Sequence, residues 1–182
     1  METEMARCNE CRQGLLQKTI KPQHEEDLGG IVVRLLNSVQ LYKCTKCDCE
    51  EVVIPDLEGL AKAVALVRAL MPMRLSGGEL KFIRKTLDMT QKEFAEKMDL
   101  APETLSRWEN NHPGTGEYSE KLLRHNVCAF LYKDVLAVDY DPAIIANLRL
   151  APRKEPFSPI EMRLVKVKDR MERVDAWDQA AA

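Results

Sequence analysis

The chain has 182 residues, enough for one or two domains, with 45% hydrophobic and 31% charged residues. Its net charge of −2 excludes a chain that is basic throughout. No run of about eighteen apolar residues exists, so no transmembrane helix is expected. The first residues, Met-Glu-Thr-Glu-Met, lack the basic and apolar regions of a secretory signal, so a cytoplasmic protein is expected. There, six cysteines point to metal or free thiols, not to a disulfide framework.

Residues 1–55 hold five of the six cysteines. Cys8-Asn-Glu-Cys11 and Cys44-Thr-Lys-Cys47 are two C-x-x-C pairs. Zinc takes four soft ligands in a tetrahedron, and each pair supplies two. Four thiolates leave no open position, so one structural zinc per chain is expected at Cys8, Cys11, Cys44 and Cys47. An iron site of rubredoxin type uses the same ligands. A redox pair would need a neighbouring βαβ unit, which is absent, and a disulfide is disfavoured in the cytoplasm. Cys49 reads as a bystander thiol. The intervening residues read as strands over 15–21, 31–36, 39–43 and 50–54, with a polar turn at 25–30 that carries a solvated His24 nearby.

Residues 56–71 read as a helix, with Leu57, Leu60, Val64, Val67 and Met71 at helical spacing. It is expected as a spacer, with a hinge at Pro72–Leu75. Ser76-Gly-Gly-Glu79 is a capping box for a helix over 77–87. Thr90 and Glu93 form another, and Phe94, Ala95 and Met98 share one face of the helix that follows. Asp99 suits a left-handed turn and Pro102 the first position of the next helix. Leu105 and Trp108 then face inward, while Glu103, Thr104, Ser106 and Arg107 face outward. This is a helix-turn-helix that offers Pro102–Glu109 to a DNA major groove. Candidate DNA contacts are Thr90, Gln91, Lys92, Glu103, Thr104, Ser106 and Arg107. Residues 76–126 carry eight Lys or Arg against nine Asp or Glu. Affinity then depends on a local patch, expected from Arg84, Lys85, Lys92 and Arg107. Helices over 118–132 and 143–150 bring this part to five.

Residues 151–157 read as a linker. Ile160, Leu164, Val167, Met171 and Val174 then recur four and three apart, the spacing of a short heptad seam. The stretch Arg149–Arg173 holds eight Lys or Arg and four Asp or Glu. A basic amphipathic helix is expected, folding back or pairing in a dimer, or else touching DNA backbone or an acidic partner. The fold class is thus α+β. A small β-rich zinc domain (1–55) joins, through a spacer helix and hinge (56–75), an all-α five-helix repressor-type domain (76–150) with a helical extension (151–182).

The pattern Gln91-x-x-x-Ala95 … Leu105-Ser-Arg-Trp-Glu109 resembles the phage-repressor (Xre) type. Together with both C-x-x-C pairs, the spacer helix, Ile83-Arg-Lys85, Lys121-Leu-Leu-Arg124 and Pro142-x-Ile-Ile-x-Asn-Leu-Arg149, its order resembles the MqsA-like antitoxins. That resemblance, over about residues 8–149, implies a zinc domain that neutralises an mRNA-cleaving toxin and a homodimeric domain that binds operator DNA. Three departures stand out. Glu103 occupies the place of a base-reading Asn. Arg12 and Asp48 replace the Gly that often follows a C-x-x-C pair. The chain also continues past the matching helix. The alternative is a zinc-containing transcriptional regulator with no toxin partner. No Ser/His/Asp set, paired-carboxylate site or glycine loop suggests an enzyme, and Cys47 with Cys49 is the remaining candidate redox couple.

Overall fold

The computed structural model describes residues 6–112, 116–152, 157–169 and 172–180. Two long strands, β1 (Leu16–Asp27) and β2 (Val32–Cys44), form an antiparallel hairpin. The turn needs positive φ at Gly29 and Gly30, and the Asp27 carboxylate accepts the Gly30 N–H at 2.6 Å. The register shifts between Lys21 and Gln23. Pro22 lies there without an N–H to give to the ladder, and Asn37 on β2 takes a left-handed φ of 50°. The strands are therefore longer than the sequence suggests, and His24 lies within β1, not in a turn. It contacts Lys21 at 3.1 Å and Glu26 at 3.3 Å.

The other edge of β2 is shared by two strands. β3 (Glu50–Val53) pairs antiparallel with Gln40–Lys43, and β4 (Ile160–Asp169) pairs parallel with Val33–Leu36. β5 (Glu172–Gln179) closes an antiparallel hairpin with β4, giving the order β1-β2-β4-β5. The expected helical extension is therefore corrected: Ile160, Leu164, Val167 and Val174 belong to strands, and Met171 lies outside the described residues. Ile160, Met162 and Leu164 alternate with the more polar Glu161 and Arg163, and period two is the spacing of a half-buried strand. Ile160 and Met162 are buried beside Val33 and Leu35 of β2. Ser158-Pro159 leads into β4. Residues 170–171, between β4 and β5 in the sequence, lie outside the described residues.

α1 (Leu57–Leu70) packs on β5, α2 and α5. Leu60 and every residue from Ala63 to Ala69 are buried. A helix buried around most of its circumference belongs to a core, so the expected spacer is a central element here. The core is continuous from Val33 and Leu35 through Leu66 to Ile83, Phe94 and Val127.

The segment expected as a hinge is tied down. The Arg68 guanidinium donates to the Glu79 carboxylate at 2.7 and 3.0 Å, and to the Met73 and Arg74 carbonyls at 3.0 and 2.7 Å. Arg124 donates to the carbonyls of Ala69, Met71 and Met73 and to Glu120. All four charged side chains are buried, and each arginine has an acidic partner, which is what burial of charge requires. The Ala151 carbonyl accepts from the Arg74 N–H at 3.0 Å, and the Ala151 N–H reaches the Pro72 carbonyl at 2.8 Å.

Five helices follow: α2 (Gly77–Thr86), α3 (Gln91–Lys97), α4 (Pro102–Glu109), α5 (Glu117–Leu131) and α6 (Pro142–Asn147). Both expected capping boxes are present at Ser76/Glu79 and Thr90/Glu93.

Candidate metal centre and nucleic-acid interface

The hairpin of β1 and β2 brings the first C-x-x-C pair to the second, because Leu16 faces Cys44 in the register. The four sulfurs of Cys8, Cys11, Cys44 and Cys47 lie within 4.8 Å of one another. Sγ of Cys8 is 3.7 Å from that of Cys47, and Sγ of Cys11 is 3.6 Å from that of Cys44. Four thiolates at ~2.3 Å from a tetrahedral ion stand ~3.8 Å apart, so these residues fit such an ion. Backbone N–H groups point at the sulfurs: Gly14 to Cys11 at 3.4 Å and Lys46 to Cys44 at 3.3 Å. The amides of Gln13 and Gly14 stabilise the Cys11 thiolate and hold its pKa down to about 6. Although the Cys49 amide favours the Cys47 thiolate, Cys44 and the other sulfurs push Cys47 up to about 12. A set of thiolates that oppose one another's charge is matched by a cation at its centre.

Two details of the knuckles were not read from the sequence. Arg12, in the place of the usual Gly, takes φ 56°, the left-handed conformation that glycine adopts without cost. Gly14 is needed for space, since a Cβ there would stand 2.3 Å from Cys44 Sγ. A glycine three residues beyond a knuckle cysteine was the available signal. Cys49 is not among the four clustered sulfurs, and its backbone carbonyl closes the loop by accepting from the Cys44 N–H at 3.0 Å. Cys128 is buried on α5.

The second site is built on α3 and α4. Asp99 takes φ 53° in the turn between them. Phe94, Ala95 and Met98 of the first helix and its C-cap, with Leu105 and Trp108 of the second, are buried. That leaves Glu103 and Arg107 exposed on α4, Thr104 and Ser106 half-buried, and Thr90 and Lys92 exposed beside them. Gln91 is half-buried, and its amide donates to Glu109 at 3.2 Å. Glu109 also accepts from Arg84 at 2.6 and 3.1 Å, and Arg84 donates to the Met89 carbonyl at 2.9 Å. Arg84 is thus consumed inside the fold, and the expected basic patch loses one member. Lys85, Lys92 and Arg107 remain exposed. Gly77, at the start of α2, lets the backbone of α4 approach: a Cβ there would stand 2.3 Å from the Glu109 carbonyl oxygen.

Residues 80–124 match the helix-turn-helix family model. The match covers α3 and α4 and supports a DNA-binding regulator; it does not extend to the sheet or to the cysteines. Comparison with curated proteins finds no match. Among the described residues, no helix is long and apolar enough to cross a membrane.

Proposed function

We propose that this chain is a cytoplasmic, homodimeric, sequence-specific transcriptional regulator, and that it serves as the antitoxin of a type II toxin–antitoxin pair. The observation that carries the DNA-reading part is α4 itself: Leu105 and Trp108 anchor it, and Glu103 and Arg107 lie exposed one turn apart. Arg107 suits a guanine edge through two hydrogen bonds, and Glu103 suits the amino group of cytosine. Thr104 and Ser106 reach a base or phosphate, and Thr90, Gln91 and Lys92 serve the backbone. Cys8, Cys11, Cys44 and Cys47 hold one structural zinc, which fixes the loops at the far end of the sheet.

The toxin-binding part is supported by the resemblance in motif order together with the four-sulfur cluster at the expected positions. One observation favours the reading without a toxin: β4 and β5 complete the N-terminal sheet, outside the region of that resemblance. Affinity purification of the tagged full chain from its native host, followed by mass spectrometry, separates the two. A small protein retained at constant stoichiometry, and lost after Cys44→Ser, supports the antitoxin. Operator enrichment with no such protein leaves the regulator without a toxin.

A further inference from the structure

The cysteine end of the sheet holds five thiols, one more than a tetrahedral ion takes. Glu50 of β3 faces Lys43 of β2 in the register, so Cys49 lies opposite Cys44, and the Cys44 N–H donates to the Cys49 carbonyl at 3.0 Å. That pairing fixes Cys49 at the foot of the second knuckle, two residues past Cys47. Its sulfur is not one of the four that cluster, but its side chain hydrogen-bonds with that of Cys8. The two thiols differ in access. Cys8 is 1% exposed, and its backbone is tied to Gly14 and Arg12 at 2.9 and 3.0 Å. Cys49 is only half-buried. A solute in water therefore meets the sulfur of Cys49 and not that of Cys8.

We infer that Cys49 and Cys8 form a reversible disulfide on exposure to a peroxide, and that this bond opens the metal site. The inference deepens the zinc part of the proposed function and rests on it. Peroxide meets Cys49 first. An S–O bond forms, the O–O bond breaks, and the thiol proton leaves with the displaced hydroxide as water, which makes Cys49 a sulfenic acid. Cys8 supplies the nucleophile for the second step, because a thiol that coordinates a metal is deprotonated. Its sulfur attacks that of Cys49. The S–S bond forms, the S–O bond breaks, and the hydroxide released takes a proton from solvent. The two sulfurs lose two electrons in all, and the peroxide ends as two waters. Cys8 with Cys47 and Cys11 with Cys44 also stand close, at 3.7 and 3.6 Å, but each of those bonds would take two ligands from the ion. The Cys8–Cys49 bond takes one. It leaves three thiolates and an open position, no longer the closed set of a structural site. A thiol reductant reverses it.

The reduced full chain, loaded with zinc under argon, is treated with hydrogen peroxide. A chromogenic chelator follows the zinc, and fragmentation of non-reduced peptides reads the cysteine pairing. Wild type should lose its zinc and carry the Cys8–Cys49 bond, and dithiothreitol with added zinc should restore the metal. Cys49→Ser should hold zinc as wild type does before treatment and keep it through the same exposure. Cys49→Ala should behave alike, and Cys128→Ser should lose zinc as wild type does. Zinc lost equally from both Cys49 variants overturns the switch. So does zinc retained by treated wild type, or a disulfide between two ligands with Cys49 still free. Cys49 variants that hold no zinc before treatment overturn it too, since Cys49 would then be a ligand. Zinc content before peroxide separates the failures. A reduced wild-type chain without zinc overturns the metal site and the switch together, whereas full zinc with any of the other adverse outcomes overturns the switch alone.

Discussion

Glu109 joins three helices through one carboxylate. Its oxygens hold Arg84 of α2 at 2.6 and 3.1 Å and Gln91 of α3 at 3.2 Å, from the last position of α4. The pair is nearly buried, with 12% of Arg84 and 6% of Glu109 exposed. Removing one member leaves the other charge in a dry site. Glu109→Ala should therefore cost about 3 kcal/mol, a fall in Tm of roughly 6–12 °C for a chain of this size. It should also weaken DNA binding, because α4 loses its fixed angle to α3. Glu109→Gln keeps the shape and should cost less. Thermal melts that coincide for wild type and Glu109→Ala would show that the carboxylate positions nothing.

The metal centre should hold one zinc per chain, released by chelators with loss of ordered structure at the cysteine end, since structural zinc and folding are coupled. Cys44→Ser should abolish that zinc, and Gly14→Ala should reduce it by pushing on the same sulfur. Cys128→Ser should not, because Cys128 sits on α5, away from the four-sulfur cluster. Metal analysis of the three purified variants checks this, and full zinc in Cys44→Ser would remove that ligand from the set. DNA binding should persist without the metal. β1 spans eleven steps of about 3.3 Å, roughly 36 Å, between the cysteines and the turn at Gly29, which is the end of the hairpin that lies near Phe82 of α2.

Trp177 is 2% exposed, and its indole N–H donates to the carbonyls of Pro55 and Asp56 at 3.2 and 3.1 Å, where α1 begins. Trp177→Ala should cost about 3–5 kcal/mol, the range for emptying a large core site. Trp177→Phe should cost less, chiefly the hydrogen bond. Ending the chain after Ala151 removes β4 and β5 together and uncovers Val33, Leu35 and α1. The truncated protein should aggregate or unfold. A soluble, cooperatively melting fragment 1–151 would show that the hairpin is dispensable.

Much of this was legible locally. The capping boxes at Ser76 and Thr90, the left-handed Asp99 and the inward Leu105 and Trp108 all follow from residues within one turn of each other. The four-cysteine cluster was legible from spacing. The C-terminal strands were not, because Ile160, Leu164, Val167, Met171 and Val174 satisfy a heptad while Ile160, Met162 and Leu164 also alternate. A short apolar run carries both periods, and tertiary pairing decides between them. Here the deciding partner is Val33–Leu36, whose Arg34 meets Glu161 at 3.0 Å across 127 positions. The corner at Pro72 was misread for a similar reason. Proline marks a break, but the carbonyls on either side of it are claimed: Arg124 takes those of Met71 and Met73, Arg68 shares that of Met73, and Arg124 lies on a helix some fifty residues on.

Arg107 and Glu103 carry the prediction about sequence reading. Arg107→Ala should cost roughly 1–3 kcal/mol on the operator and much less on random DNA. Glu103→Ala should relax preference at one base pair. If Glu103 instead only repels phosphate, its removal strengthens binding to every duplex. Titrations of both variants on operator and random duplexes at two salt concentrations decide the roles. Equal losses for Arg107→Ala on both duplexes exclude it from base recognition.

The parallel pairing of β2 with β4 has a consequence during synthesis. Arg34 leaves the ribosome 127 residues before Glu161. At about 5–20 residues per second, the nascent chain waits roughly 6–25 s with the Val33–Leu36 part of that edge unpaired. The helices from α2 to α6, with α1 on which α2 and α5 pack, all emerge within this interval, so they can complete first. The DNA-reading half therefore forms while Val33 and Leu35 still lack Ile160 and Met162, and the sheet closes only near the end of translation. Until then the newborn protein carries an exposed apolar strand edge, the surface that holding chaperones recognise.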